Sequence, residues 1–162
     1  MEITQLLPRA EKVAAKLKES RATIAVAESS AGGLISAALL AVPGASGYFL
    51  GGGVVYTRQA REALLQIPVS TLEGFTPSTE AYALLLARSA RERFGSTWAV
   101  AETGTAGPTG SRYGYAAGHA CVAVSGVLER AVTVETGSDD RQANMVAFAA
   151  AALELLERAL NS

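Results

Sequence analysis

The sequence predicts an α/β fold in which a mixed β-sheet lies between helices on both of its faces. Three observations support this prediction. Short apolar runs rich in β-branched residues alternate along the chain with segments of helical periodicity. A glycine-centred turn joins the last two apolar runs into an antiparallel hairpin, which makes the sheet mixed rather than purely parallel. The 162 residues, 49% of them hydrophobic, are enough to form one substantial core.

Each element follows from the pattern of its own segment. Apolar residues spaced by three and four positions near the start predict an amphipathic helix. Uninterrupted small and β-branched residues predict buried strands. Thr79 and Gly95 flank a helical segment as N-cap and C′ residue, and Gly126 centres the hairpin turn. The predicted elements are, in order, a helix within 3–17, a strand at 23–27, a helix at 34–42, a strand at 48–57, a short helix through 61–65, a loop around 68, a helix at 80–94, a strand at 97–101, strands at 119–125 and 129–135, and a helix at 139–159.

The composition excludes several classes of function. A formal net charge of −1 does not supply the basic face that nucleic acids or anionic membranes need. His119 and Cys121 are the only residues of their types, too few for a zinc or iron site or an internal disulfide. The chain also has no signal-peptide pattern and no apolar run of roughly 18 residues. We therefore expect one domain, residues 1–162, that is cytoplasmic, holds no metal or cofactor, and has no nucleic-acid or membrane partner.

Two polar, glycine-containing segments directly follow predicted strands, at 28–33 and 102–110. Ligands of open α/β sheets bind outside the carboxyl ends of the strands, so both segments are candidate binding sites. The first leads into a helix, whose free N-terminal amides would favour an anion such as phosphate. An ordinary strand–helix turn remains the alternative for each segment.

A third candidate combines a serine with residues that follow the next strand. Ser46 lies in a tight turn before that strand, and Tyr56 and Arg61 follow its other end. A serine hydroxyl needs a base to become a nucleophile. On local sequence alone, a structural role is the more common one for each: Ser46 as a turn residue, Tyr56 as a half-buried strand residue and Arg61 as a solvated helix residue.

Four motifs then occur in an order and at a spacing that a known family shares. They are Ala-Glu-Ser-Ser-Ala-Gly-Gly-Leu at 27–34, Val-Pro-Gly-Ala-Ser-Gly-Tyr-Phe at 42–49, Val-Tyr at 55–56 and Thr-Gly-Thr-Ala-Gly-Pro at 103–108. With these motifs the chain resembles the CinA C-terminal domain family over nearly its whole length. The resemblance implies a three-layer α/β/α sandwich, here as a stand-alone member without the extra N-terminal domain that some members carry.

The resemblance implies an amidase of NAD recycling, which hydrolyses nicotinamide mononucleotide to nicotinic acid mononucleotide and ammonia without a metal. Ser46 matches the family's nucleophile and Tyr56 its neighbouring tyrosine. Arg61 stands where the family commonly has lysine, and an arginine cannot take the serine proton. Its charge would instead favour the tyrosinate form of Tyr56, which would activate Ser46. The other site residues implied, all for substrate binding, are Glu28, Ser29, Ser30, Gly32, Gly33, Thr103, Gly104 and Thr105.

The expected partner is thus a small-molecule nucleotide substrate, and self-association in the family leaves a homo-oligomer open. An alternative function is a nucleotide- or small-molecule-binding module of the same family that has lost or changed the reaction. The arginine at position 61 motivates this alternative, as does Arg141, which stands alone where the family's last helix begins with several arginines.

Overall fold

A five-stranded mixed sheet forms the centre of the protein. The structure is a computed structural model that describes residues 3–162. Its elements agree in type and order with the prediction, apart from one additional short α-helix and two 3-10 turns, Ile3–Gln5 and Ala45–Gly47. The helices are α1 (Leu7–Ser20), α2 (Leu34–Leu40), α3 (Arg58–Leu65), α4 (Val69–Leu72), α5 (Glu80–Phe94) and α6 (Arg141–Leu160), and the strands are β1 (Ile24–Glu28), β2 (Phe49–Val54), β3 (Trp98–Thr105), β4 (His119–Ser125) and β5 (Glu129–Glu135).

The strand order of the sheet is β2-β1-β3-β4-β5. Strands β2, β1 and β3 are parallel, whereas β4 runs antiparallel to β3 and β5 antiparallel to β4. The carboxyl ends of β1, β2 and β3 therefore lie at one edge of the sheet, together with the start of β4 and the end of β5. We call this the carboxyl edge, and the opposite one the amino edge.

Helices cover both faces of the sheet, so the predicted α/β/α sandwich is confirmed. On one face, α1, α2 and α6 bury a core that includes Leu17, Ile35 and Phe148. On the other face, α5 packs with α3 and α4 around a second core that includes Tyr82 and Leu86. Many core positions are alanines, whose short side chains allow the helices to lie close to the sheet. Within residues 3–162, none of the helices is long and apolar enough to span a membrane.

Several elements begin or end a few residues from the predicted positions, and β2 ends at Val54 instead of residue 57. Two further segments differ more. Strand β3 continues to Thr105 instead of ending at residue 101, because residues 102–105 pair with the first part of β4. The polar Glu-Thr-Gly-Thr sequence does not indicate this pairing, since the partner strand lies far along the chain. The segment predicted as a loop after Pro68 contains α4, which buries Leu72. By contrast, α5 has the predicted bounds, with the Thr79 side chain capping its first turn and Gly95 in the left-handed conformation at its end.

Candidate active site at the carboxyl edge

Glu28 organises the turn between β1 and α2. Its carboxylate is fully buried and accepts hydrogen bonds from the amides of Gly33 (3.1 Å), Ile35 (2.9 Å) and Ser36 (2.8 Å). Gly32 and Gly33 have positive φ angles of 69° and 100°, which this tight turn requires. A carboxylate of the chain itself therefore occupies the start of α2.

Glu102, on the neighbouring strand β3, holds the other half of the same turn. One carboxylate oxygen accepts from the amides of Ser29 (2.9 Å) and Ala31 (2.8 Å), and the other accepts from the Ser30 hydroxyl. Glu102 is fully buried, and this burial raises its pKa above the ordinary value of 4.5, with the nearby Glu28 charge adding to the effect.

These contacts overturn the expectation that the turn offers free amides to a phosphate. The amides of Ser29, Ala31, Gly33 and Ile35 all have carboxylate acceptors within the chain. The amide of Gly32 donates to the carbonyl of Ser29. A phosphate at this position would have to displace two buried glutamates, so the start of α2 offers no free amides to an anion.

Arg61 and Tyr56 do lie next to each other, but their contact is not the predicted one. Arg61 is 7% exposed, and its guanidinium donates to the carbonyl oxygens of Val55 and Tyr56, each at 3.0 Å. The cation that contacts the phenol of Tyr56 is Arg141, at 3.5 Å, and Arg141 also bonds the carbonyl of Gly107. Arg61 thus holds the Tyr56 backbone, whereas Arg141 contacts its hydroxyl.

A cavity of about 320 Å³ opens beside Tyr56 and is rich in arginine and tyrosine. Its volume lies at the lower end of the range of roughly 300–1,000 Å³ for small-molecule sites. In the described part of the chain, no carboxylate lies within salt-bridge distance of its three arginines. Burial raises the pKa of Tyr82 in its wall, and the adjacent Arg61 opposes that rise. The lining residues are Tyr56, Thr57, Arg58, Arg61, Leu72, Phe75, Pro77, Tyr82, Arg112 and Tyr113.

The residues on β3 that were predicted to bind substrate make structural contacts. The Thr103 hydroxyl is buried and accepts from the amide of Ser78 at 3.1 Å. Gly104 lies opposite Ala120 of β4, where a side chain would not fit. The carbonyl of Thr105 accepts from the amide of Gly118 and so closes the β3–β4 connection.

Ser46 lies at the amino edge, away from every other predicted site residue. It is exposed in a short 3-10 turn before β2, and the carbonyl of Pro43 in this region binds the Lys18 ammonium of α1. Strand β2 alone spans about 17 Å at a rise of roughly 3.3 Å per residue. Since Tyr56 follows its far end, a single chain does not bring Ser46 to the cavity.

Comparisons with known proteins decide the family. The family model of the CinA C-terminal domain matches residues 7–160. This chain belongs to the CinA C-terminal domain family. A CinA-like protein of Chlorobaculum tepidum is 40% identical over 148 residues, which cover 88% of this chain and 35% of the relative. The chain thus spans about a third of the length of that curated relative.

Solved structures of the CinA superfamily share the fold. The competence/damage inducible protein CihA of Agrobacterium tumefaciens superposes with a TM-score of 0.88 at 30% identity, covering 97% of this chain and 96% of that one. A competence or damage-inducible protein of Enterobacter asburiae gives 0.86 at 31% identity, covering 94% and 96%. The family assignment made from the four motifs is therefore confirmed.

Sequence reasoning missed several residues of the site in this CinA family chain. Arg112 and Tyr113 reach the cavity from the β3–β4 connection, and Phe75 reaches it from the segment before α5. His119 begins β4, with Nδ1 2.5 Å from a Glu135 oxygen and Nε2 2.8 Å from the Ser78 carbonyl. The sequence signal for Arg112 and Tyr113 is a basic residue next to an aromatic one in the connection after a predicted strand. Among residues 3–162, no group of histidine, cysteine, aspartate and glutamate is arranged to hold a metal ion.

Proposed function

We propose that this CinA family protein hydrolyses the carboxamide of nicotinamide mononucleotide, giving nicotinic acid mononucleotide and ammonia. The observation that carries the proposal is the cavity beside Tyr56, which combines three arginines with tyrosine rings. Family membership supports the proposal, because the motif resemblance implies this reaction.

The chemistry of the cavity suits the two ends of such a substrate. Arg58 and Arg112 are exposed cations that would bind the phosphate in bidentate fashion. The nicotinamide ring carries a positive charge in the mononucleotide, and the ring face of Tyr56 attracts such a cation. A larger groove of about 430 Å³, lined in part by Gln66, Ser89 and Glu92, lacks this combination of groups.

The proposed reaction needs a nucleophile, a base and donors for the developing oxyanion. The Ser46 hydroxyl would attack the carboxamide carbon while its proton passes to the Tyr56 oxygen, which the Arg141 guanidinium contacts at 3.5 Å. Collapse of the tetrahedral intermediate would release ammonia after it takes up that proton. Water would then hydrolyse the acyl-serine to the acid. This scheme requires a serine that reaches the cavity from outside its own chain.

Ammonia release from nicotinamide mononucleotide tests the proposal directly. We expect turnover by the wild type and none by Ser46→Ala. We expect Arg112→Ala to raise KM about tenfold at unchanged kcat, which corresponds to about 1.4 kcal/mol of lost phosphate binding. Arg130→Ala removes an exposed arginine on β5, away from the cavity, and serves as the matched control. Absence of ammonia at high enzyme concentration would contradict the proposed reaction.

A binding module without turnover is the second candidate. The separation of Ser46 from the cavity favours it, because a chain acting alone holds the arginines without that serine. Nicotinic acid mononucleotide at 100 times its Kd would then stabilise the fold by about 2.7 kcal/mol without any ammonia release. A thermal-unfolding shift that Arg112→Ala abolishes, together with no turnover, would select this candidate.

A further inference from the structure

His119 is a buried side chain that the proposed reaction does not use. It is 6% exposed at the start of β4, and both of its ring nitrogens contact oxygen atoms. Nδ1 lies 2.5 Å from a carboxylate oxygen of Glu135 on β5, and Nε2 lies 2.8 Å from the carbonyl oxygen of Ser78. A carbonyl oxygen only accepts hydrogen bonds, so Nε2 is the donor to Ser78. The ring therefore connects the sheet to the segment that precedes α5.

That segment forms one wall of the cavity and has an unusual backbone conformation. Ser78 has a φ of 62°, in the left-handed region that residues with a side chain seldom adopt. Such a conformation persists only where the surrounding structure fixes it. Thr103 accepts from the amide of Ser78, and both His119 and Cys121 donate to its carbonyl. These contacts hold the chain just after Phe75, which lines the cavity.

The same histidine ring supports a second wall of the cavity. The ring of Tyr115 stacks on that of His119, with the centroids 4.0 Å apart and an angle of 7° between the planes. The amide of Ser111 donates to the carbonyl of Tyr115 and closes a turn at 111–115. Arg112 and Tyr113, which line the cavity, lie in this turn. The stack therefore connects the 111–115 turn to the sheet.

Arg112 depends on this turn for its position, because its side-chain contacts are with the next residue. Its guanidinium donates to the hydroxyl of Tyr113 at 3.2 Å and lies 5.2 Å from the centre of the Tyr113 ring. An arginine binds a phosphate best through two parallel hydrogen bonds, which require a defined orientation of the guanidinium. A turn that moved relative to the sheet would therefore weaken phosphate binding although no contacting group is lost.

We propose that His119 is a positioning residue for ligand binding: its ring holds both walls of the cavity and so determines where Arg112 meets the ligand. The residues that line the cavity do not include His119, so it acts through the two segments that it contacts. The proposal rests on the proposed function for the presence of a mononucleotide in the cavity. It applies equally to an amidase and to a binding module.

Hydrogen exchange tests the two contacts separately and without a ligand. Tyr115→Ala removes the stack but leaves the hydrogen bonds of His119, so amides within 110–117 should exchange faster while those within 75–79 should not. His119→Phe keeps a ring for the stack but loses both hydrogen bonds, so we expect the reverse pattern. Tyr115→Phe preserves the stack and is the matched control. Wild-type exchange of both segments in both test variants would overturn the proposal.

Calorimetric titration with nicotinic acid mononucleotide tests the effect on the site. Tyr115→Ala and His119→Phe should each raise the Kd about fivefold through misplacement of the cavity walls, whereas Tyr115→Phe should bind as the wild type does. In an active enzyme, KM should rise by the same factor at unchanged kcat, because neither variant alters Ser46 or Tyr56. Faster exchange with a wild-type Kd in both test variants would reduce the contacts to a structural role and refute the positioning role.

A double-mutant cycle shows whether the stack acts through Arg112. Tyr115→Ala should raise the Kd in the wild-type background but not in the Arg112→Ala background, since the group that it positions is then absent. Equal effects in the two backgrounds would contradict this route. A wild type that binds no mononucleotide would contradict the proposed function, and the exchange pattern would still decide whether His119 holds both walls.

Discussion

Two buried glutamates show how single residues can decide what a site does not bind. The glycines and the following helix of the segment at 28–33 predict an anion site, but Glu28 begins this segment and Glu102 of β3 lies beside it. The carboxylates of these two residues accept the hydrogen bonds of the amides in that segment instead. Burying a carboxylate is costly unless its oxygens are well hydrogen-bonded, and here five amides and one hydroxyl satisfy the two groups. In the proposed function the arginines of the neighbouring cavity bind the anion instead.

The raised pKa of Glu102 makes protein stability depend on pH. Because the folded pKa lies above the ordinary 4.5, the folded state binds the proton more tightly than the unfolded state does. This contribution to stability is complete below pH 4.5 and is lost as the pH rises through the folded pKa. Glu102→Gln should remove that loss, so its free energy of unfolding should rise relative to wild type between pH 4.5 and 8, as measured by urea unfolding.

A second variant separates charge from hydrogen bonding at this position. Glu102→Ala leaves the amides of Ser29 and Ala31 and the Ser30 hydroxyl without an acceptor, and should cost about 3 kcal/mol or more across the same pH range. If wild type and Glu102→Gln followed the same pH profile, burial would not control the ionisation of Glu102.

At the level of elements, the close packing of β3 against β4 determines where the residues of the carboxyl edge lie. Gly104 of β3 faces Ala120 of β4, next to His119, and the chains are too close there for a side chain. His119 of β4 thereby contacts the carbonyl of Ser78, the residue whose amide donates to the Thr103 hydroxyl of β3. The site therefore depends on strand spacing as much as on polar residues.

Gly104→Ala should destabilise the fold by about 1–3 kcal/mol through overpacking. The added Cβ would lie 2.6 Å from the Ala120 Cβ and 2.9 Å from the His119 carbonyl oxygen, so the strands would have to separate. Gly74→Ala is the matched control, because its nearest neighbour, the Thr71 carbonyl oxygen, is at an ordinary 3.4 Å. Equal urea midpoints for the two variants would show that the strands adjust without cost.

The charged pair between α5 and β5 predicts a separate pH effect. The Arg88 hydrogen bond, helped by Ser125, lowers the pKa of Glu129 from 4.5 to about 2. The pair's stabilisation is present above pH 4.5 and lost as the pH falls towards 2. Since Arg88 is 53% exposed, Arg88→Ala should cost only about 1 kcal/mol or less at pH 7 and nothing near pH 2.

Arg93→Ala provides the comparison for Arg88→Ala. It removes an exposed arginine from the same helix that forms no ion pair in the described part of the chain. Its effect should be smaller and independent of pH. If Arg88→Ala lowered the free energy of unfolding by the same amount from pH 7 to 2, packing of the side-chain stem would explain the effect instead.

For the whole molecule, local patterns predicted the layers better than the site. Periodicity and caps sufficed for α5 and the hairpin, because those elements are determined by neighbouring residues. The extension of β3 and the acceptors of the 28–33 turn depend on strands far apart in the chain, which local patterns do not reveal. The separation of Ser46 from Tyr56 could have been predicted, because a parallel strand of known length lies between them.

The Glu28 carboxylate at the start of α2 also determines which parts of the site lose conformational freedom when a ligand binds. Glu28 already satisfies the amides of Gly33, Ile35 and Ser36, so the turn is preorganised before any ligand arrives. Its conformational entropy has been lost during folding and does not reduce the affinity for a ligand. The exposed side chains of Arg58, Arg112 and Tyr113 still have to be immobilised. Changes in the cavity wall, rather than in the glycine turn at 28–33, should therefore set how tightly this protein holds its ligand.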